Sequence, residues 1–251
     1  MISNGKFYES QFEEATIELL REAHWQYAFG DDIHRKYTDP LIEEDLRNFL
    51  AVQYKDKNLT TSEMDSIVAN LRNTGGQNDY YALRNTFLLY RDGYDFAYSD
   101  GRSNPFRLEY IDFEHPDHNI FRCVNQFVME QGRENRRPDI LLFINGIPVC
   151  IIELKNPTKQ NATIHDAHTQ ICTRYMRDIP ALLKYCALAV ISDGAKNALG
   201  ATYTPFEFFY EWKKIENEDK AGKGLDTLRT LIRGAISPER ILEICLLYTS
   251  P

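Results

Sequence analysis

The sequence lacks the long apolar run that a membrane-spanning helix requires. No stretch of about 18 consecutive apolar residues occurs, and the first residues, MISNGKFYESQFEEA, lack the basic and then apolar layout of a signal peptide. Internal repeats and low-complexity tracts are also missing. From these absences we expect a cytoplasmic protein with no membrane partner.

Cysteine is scarce and follows no pattern. The five cysteines are odd in number and widely spaced, and none has C-x-x-C spacing. This arrangement favours buried, reduced thiols over disulfide bonds or a zinc site.

An excess of positive charge is missing as well. The chain has 29 Lys and Arg against 37 Asp and Glu, a net charge of −8. Because phosphate neutralisation dominates affinity for DNA, this balance argues against a domain that grips DNA tightly alone. DNA can still be the substrate if other domains or subunits hold the duplex. Locally, Arg133, Arg136 and Arg137 cluster, and we take Arg136 and Arg137 as candidate DNA contacts.

The most informative segment is Arg136–Asn156, RRPDILLFINGIPVCIIELKN. Two apolar runs flank Asn145-Gly146, and Asn-Gly in that position is a strong signal for a β-hairpin. The first strand opens with Pro138-Asp139 and the second closes with Glu153-Leu154-Lys155. Two carboxylates and a lysine are therefore expected at the same end of an apolar hairpin.

Charged groups are unexpected at the end of such an apolar strand, because burying a charge costs several kcal/mol unless the charge is paired or bound to a metal. Two carboxylates can hold Mg²⁺, which would lower the pKa of a bound water and polarise a phosphate. Lys155 would orient that water or neutralise charge in the transition state. The structural alternative is a buried hairpin that ends in a Glu–Lys salt bridge.

The strand register decides between these interpretations. A strict two-residue loop pairs Ile144 with Ile147 and hence Asp139 with Ile152, which places Asp139 and Glu153 on opposite faces. The metal-site hypothesis therefore requires a three-residue loop, or a bulge near Asp139.

Pro138-Asp139 followed by Glu153-Leu154-Lys155 resembles the PD-(D/E)xK nuclease signature. The block RRPDILLFINGIPVCIIELKNPT is similar to the N-terminal nuclease domain of the restriction (R) subunit of type I restriction-modification enzymes. The phrase Ile191–Trp212 also resembles that family, as do four residues before the hairpin, Asn119, Phe121, Asn125 and Phe127.

The resemblance implies a Mg²⁺-dependent DNA endonuclease and assigns roles within it. Asp139 and Glu153 would bind the metal together with the backbone carbonyl of Leu154. Lys155 would position the attacking water, and Gln170 would support the substrate or the lysine.

Two further positions leave alternatives open. Glu13, in a Phe12-Glu13 pair like that of the family, is either a further metal ligand or an ion-paired helix acid. Tyr175 follows Gln170 at +5 instead of the expected +4, and residues five apart drift off one face of an α-helix.

The same resemblance implies double-stranded DNA, a methyltransferase subunit and a specificity subunit as partners. ATP would serve only a motor domain that this sequence does not contain, since Gly222-Lys223-Gly224 is not a phosphate-binding loop. The chain stops where a translocase would begin, so we expect a fragment of a longer protein. Two alternative functions are a DNA repair or recombination nuclease of the same superfamily and a non-catalytic docking module.

The expected fold is α/β, a restriction-endonuclease-like mixed central sheet flanked by helices, with an N-terminal helical region. We expect a nuclease domain over residues 1–214, with a helical insertion at about 40–91, and a charged linker with short helices over 215–251. Local patterns predict a helix over Tyr8–Tyr27 and a strand region over Ala201–Trp212. His115 and His118 are predicted to be loop residues, not a metal site.

Overall fold

The structure is a computed structural model that describes residues 4–155, 163–215, 222 and 224–247, with side chains from residue 10 onward. Within these ranges, no helix combines the length and the apolar character needed to cross a bilayer.

A six-stranded sheet forms the centre of the molecule, in the order β1-β4-β7-β8-β9-β10. The pairs β1/β4 and β8/β9 are parallel and the other three pairs are antiparallel. The mixed sheet, with helices packed on it, confirms the predicted α/β class. Its strands are β1 Gln26–Phe29, β4 Phe121–Asn125, β7 Ile140–Ile144, β8 Ile147–Leu154, β9 Leu188–Ser192 and β10 Asn197–Ala201.

Two small ribbons, nine α-helices and several short 3-10 or π-helical turns make up the rest of the regular structure in the described part of the chain. The ribbons pair β2 Tyr94–Phe96 with β3 Phe106–Leu108, and β5 Met129–Gln131 with β6 Glu134–Arg136. The helices are α1 Asn4–Glu22, α2 Glu43–Gln53, α3 Thr61–Asn73, α4 Asp79–Asp92, α5 Ile164–Thr169, α6 Met176–Asp178, α7 Pro180–Leu183, α8 Leu225–Ala235 and α9 Pro238–Leu247.

The central hairpin β7–β8 is buried along its whole length, because both faces of the sheet are covered. One face packs on α1 to α4, α8 and α9, and the other packs on α5, α7 and the helical turn between them. Burial on both faces explains why these strands are continuous apolar runs without alternation. The buried hairpin therefore fixes the positions of the residues at its two ends.

The N-terminal helix ends earlier than its sequence pattern predicts. It ends at Glu22, and Gln26–Phe29 forms the edge strand β1, so the prediction of a helix to Tyr27 was wrong. His24 takes a left-handed conformation, with φ 71°, which breaks the helix. Parallel pairing with β4 then outweighs local helical periodicity.

The predicted strand region Ala201–Trp212 was also wrong in extent. β10 ends at Ala201, and Pro205 precedes a 3-10 turn over Phe206–Phe208. Only a single bridge, between Leu199 and Tyr210, continues the pairing. Proline fixes its own φ and carries no N–H, so it favours the turn over a continued strand.

The last two helices pack on the same core as the sheet. Leu228, Leu231 and Ile241 are buried there, and the Trp25 indole N–H donates to the Ile236 carbonyl at 2.8 Å. Most of the predicted charged linker, residues 216–221 and 223, lies outside the described residues. The division into 1–214 and 215–251 stays a prediction.

Candidate active site

A β-bulge in the central hairpin places Asp139 across from Glu153. Next to the turn, Ile144 pairs with Ile147, but from Leu142 onward the partner shifts by one residue, so that Ile140 pairs with Ile152. Asp139 precedes Ile140 and therefore faces Glu153 on the same side of the sheet. The slip that a metal site requires is confirmed, although the bulge lies near the turn and not near Asp139.

The extra residue that makes this bulge is Val149. Val149 and its neighbour Cys150 lie in the same core cluster, whereas successive residues of a regular strand point to opposite faces. Pro148, which has no N–H for the strand ladder, directly precedes them. A proline inside a strand is associated with bulges, so this proline was the sequence signal for the bulge's position.

The Asp139 carboxylate is fixed by the neighbouring strand. Its Oδ2 accepts a hydrogen bond from the Leu154 backbone N–H at 2.7 Å. Burial, followed by the negative charge of Glu153, raises the pKa of Asp139 well above its ordinary value. Two close carboxylates of this kind favour uptake of a cation or a proton.

Glu153 and Lys155 form a buried ion pair on the same face. Only 2% of the Glu153 side chain is exposed, and its Oε1 lies 2.8 Å from Lys155 Nζ. The ammonium also donates to Gln170 Oε1 at 2.7 Å, while the Lys155 backbone N–H donates to the Ser192 carbonyl. The lysine is thus held at both its backbone and its charged end, next to one of the two acids.

Tyr175 joins this network through a π-helix. Residues Gln170–Tyr175 form the π-helix, in which residues five apart are hydrogen-bond neighbours. Gln170 Nε2 donates to the Tyr175 hydroxyl at 2.7 Å, and that hydroxyl donates to Glu153 Oε2 at 3.2 Å. The expectation that +5 spacing separates the two side chains assumed an α-helix, and it was wrong here.

Glu13 faces the acidic pair from the first helix. Its carboxylate accepts hydrogen bonds from Asn125 Nδ2 at 2.7 Å and from Gln126 Nε2 at 2.8 Å. With Asp139 and Arg137, these residues line an open groove of about 680 Å³. Glu13 is half-buried and hydrogen-bonded, so its side chain points into this groove.

The two arginines proposed as DNA contacts differ in their surroundings. Arg136 is held in ion pairs with Asp178 at 2.6 Å and with Glu134 at 2.5 Å. Arg137 is exposed and borders the groove beside Asp139. Of the two, Arg137 is the one placed where it can meet a bound phosphate.

Sequence reasoning missed the two amides that hold Glu13. Asn125 was noticed only as part of a family-like phrase, and Gln126 was not singled out. The backbone of Gln126 has φ 55°, a left-handed conformation that is uncommon for residues other than glycine. Nothing in the local sequence signals that backbone angle.

This chain is similar to known proteins over most of its length. Residues 6–208 match the family described as the type I restriction enzyme R protein N terminus. The type I restriction enzyme HindI endonuclease subunit of Haemophilus influenzae is 31% identical in an alignment that covers 94% of this chain and 23% of that protein. The putative type I restriction enzyme MjaIXP endonuclease subunit of Methanocaldococcus jannaschii is 30% identical over 82% of this chain and 20% of that protein. The chain thus spans about a quarter or less of the length of these relatives.

Proposed function

Because this chain belongs to the family of type I restriction enzyme R protein N termini, we propose that it is the Mg²⁺-dependent DNA endonuclease domain of such an enzyme. It would hydrolyse phosphodiester bonds of foreign double-stranded DNA. The observation that carries the proposal is the placement of Asp139 across from Glu153, with the Lys155 ammonium 2.8 Å from Glu153.

The donor set at this position suits a magnesium ion. Asp139 and Glu153 are carboxylates in a site where burial and their mutual repulsion raise the pKa of Asp139, and a divalent cation relieves that repulsion. Hard oxygen donors select Mg²⁺ over softer metals. Asp139 and Glu153 would hold the ion, and the Leu154 carbonyl and Glu13 are the further oxygen donors at this end of the sheet. When bound, Mg²⁺ lowers the pKa of a water ligand and polarises a phosphate oxygen.

Lys155 supplies the positive charge that the protein itself brings to the reaction. Its ammonium is fixed between Glu153 and Gln170, so it can donate hydrogen bonds to a water or to a phosphate oxygen without first being ordered. Donors positioned in advance at developing charge are among the largest contributions to catalysis. Gln170 and Tyr175 position the lysine and the glutamate, and they do not themselves need to contact DNA.

The DNA would enter through the groove that Glu13, Arg137 and Asp139 border. With a net charge of −8, the domain gains little from phosphate neutralisation by itself. We therefore propose that a methyltransferase subunit, a specificity subunit and an ATP-driven motor region of the full-length protein hold the duplex and choose the site.

The test uses the full-length R subunit assembled with its partner subunits, and it measures cleavage of plasmid DNA with Mg²⁺ and ATP. Glu153→Ala and Lys155→Ala are expected to abolish cleavage and to leave subunit assembly intact. Glu153→Gln, which keeps the side-chain volume, is expected to do the same and guards against a folding defect.

Matched controls replace exposed residues of the same types. Glu130→Ala and Lys196→Ala remove an exposed acid and an exposed lysine outside the site, and both are expected to cut as the wild type does. Continued cleavage by the Glu153 and Lys155 variants would disprove the assignment.

A further inference from the structure

A second cluster of metal-ligating side chains lies in the connection between β3 and β4. Asp112 is buried at its start, and His115 and His118 follow at spacings of three residues. Their ligand atoms lie within 4.8 Å of one another. The cluster shares no residue with the acidic pair, so it calls for a separate explanation.

A 3-10 turn over Pro116–His118 brings the two imidazoles together. Side chains three residues apart eclipse one another in this kind of turn, and the two rings stack with centroids 4.8 Å apart and an interplanar angle of 20°. Both Nδ1 atoms face Asp112 Oδ2, at 2.9 Å for His118 and 3.5 Å for His115.

A hydrogen bond accounts for one of these contacts and not for both. The 2.9 Å separation suits a hydrogen bond from His118, but 3.5 Å is too long for a good one from His115. Two ligands on a tetrahedral zinc ion with bonds near 2.05 Å lie about 3.3 Å apart. The two separations from Asp112 Oδ2, 2.9 and 3.5 Å, thus lie on either side of this spacing, and all three ligand atoms lie within 4.8 Å of one another.

The Asp112 carboxylate is already oriented by its own surroundings. Its Oδ1 accepts from the backbone N–H groups of Glu114 at 3.0 Å and His115 at 2.8 Å, and the Gln53 side-chain amide donates to Oδ2 at 3.0 Å. Outer partners of this kind fix the orientation of metal ligands. Only 6% of the Asp112 side chain is exposed, whereas the histidines are about half exposed.

We propose that Asp112, His115 and His118 form a binding site for a transition-metal ion of the zinc type. One carboxylate oxygen and the two Nδ1 atoms would be the protein ligands, and the exposed side of the rings leaves a fourth position open to water. Two imidazole ligands favour zinc over Mg²⁺, which prefers oxygen donors. The two histidines do lie in a loop, as predicted; the proposal departs from the prediction that they form no metal site, because the 3-10 turn and the nearby Asp112 carboxylate become visible only in the fold.

This site lies at the opposite end of the central hairpin from the acidic pair. Asn119, which accepts from the Asp112 backbone N–H at 2.9 Å, also accepts from the side chain of Asn145 in the hairpin turn at 2.8 Å. β8 has eight residues between that turn and the acidic end, which is roughly 25 Å of strand. A zinc ion here would therefore brace the loop beside α9, and it would not take part in phosphodiester chemistry.

The test is a calorimetric titration of the full chain with Zn²⁺ in excess Mg²⁺, which occupies oxygen-only sites. The wild type is expected to bind about one Zn²⁺ per chain, with a rise in melting temperature because the ion binds only the folded state. The double variant His115→Ala/His118→Ala, which changes exposed side chains, is expected to lose at least about tenfold in affinity.

The control is the double variant His34→Ala/His165→Ala, which removes two other exposed imidazoles and is expected to bind Zn²⁺ as the wild type does. Imidazole nitrogen resonances observed by NMR give a second readout, since the Nδ1 signals of His115 and His118 are expected to shift on addition of Zn²⁺. Absence of Zn²⁺ binding by the wild type, or equal binding by the His115/His118 variant, would overturn the proposal.

Discussion

The side-chain amide of Gln170 donates to the hydroxyl of Tyr175 at 2.7 Å although the two residues are five positions apart. One turn of π-helix makes this contact possible, and the same hydroxyl reaches Glu153. Burial, followed by the charge of Glu153, raises the pKa of Tyr175, so the phenol stays protonated and can donate. Tyr175 thus links the buried Glu153 carboxylate to the Gln170 side chain, which accepts a hydrogen bond from Lys155.

Tyr175→Phe tests whether the hydrogen bonds of the Tyr175 hydroxyl contribute to DNA cleavage. The variant keeps the buried ring and loses both hydrogen bonds of the hydroxyl, the one to Glu153 and the one from Gln170. Loss of the bond to Glu153 alone is worth about 1 kcal/mol, so we expect DNA cleavage by the assembled enzyme to slow by at least about fivefold. Tyr203→Phe is the matched control, because its buried hydroxyl has no hydrogen-bond partner among the described residues, and it is expected to cut at the wild-type rate. Equal rates for the two variants would show that the Tyr175 hydroxyl has no role.

Glu13→Gln tests the contribution of the first helix. If the Glu13 carboxylate supports metal binding next to Asp139, the variant will need about tenfold more Mg²⁺ for half-maximal cleavage. Glu18→Gln, on the exposed face of the same helix in a pair with Arg21, is the control and is expected to keep the wild-type Mg²⁺ dependence. An unchanged dependence for Glu13→Gln would restrict this residue to a structural role.

The ion pair of Glu63 with Arg102 predicts a pH-dependent contribution to stability. Hydrogen bonds from Arg102, and then from the Thr60 backbone, lower the pKa of Glu63 from 4.5 to about 2. Because folding lowers this pKa, the contribution is fully present above pH 4.5 and is lost as the pH falls through about 2. In urea unfolding, the stability difference between wild type and Glu63→Gln is expected to be constant from pH 6 to about pH 5 and then to shrink as the pH falls to 3. A difference that stays constant down to pH 3 would contradict the assignment.

Gly146→Ala tests the turn of the central hairpin. Gly146 has φ 75°, and an added Cβ would lie 2.1 Å from the Ile42 carbonyl oxygen. We expect the free energy of unfolding to fall by about 3 kcal/mol, from backbone strain together with this overlap. Gly101→Ala is the control. Gly101 has φ 65°, and an added Cβ would have no atom within 4 Å, so this variant introduces backbone strain without an overlap. We expect its free energy of unfolding to fall by about 1 kcal/mol. Similar losses for both variants would show that the contact with Ile42 does not matter.

Part of this arrangement could be predicted from the sequence because it depends on local chemistry. The Asn145-Gly146 turn, the apolar strands on either side and the polar groups at their ends all follow from short-range patterns. The capping box between Thr60 and Glu63 at the start of α3 is also local, because the two residues lie three positions apart.

The remainder depends on tertiary packing, which no short pattern contains. The edge strand β1 exists because β4 pairs with it, and that contact is distant in sequence. The π-helical turn at Gln170 and the left-handed Gln126 are backbone states that many residues can adopt when the surrounding fold requires them. The partnership of Asp112 with two histidines likewise depends on a turn whose geometry the sequence leaves open.

The most direct test of the proposed nuclease centre is the anomalous diffraction of a crystal of this chain soaked with Mn²⁺. A single strong peak is expected between the carboxylates of Asp139 and Glu153, at coordination distance from both and beside the Lys155 ammonium. Carboxylates that project to opposite faces of the sheet, or a crystal that binds Mn²⁺ elsewhere and leaves these two acids without an ion, would contradict the account.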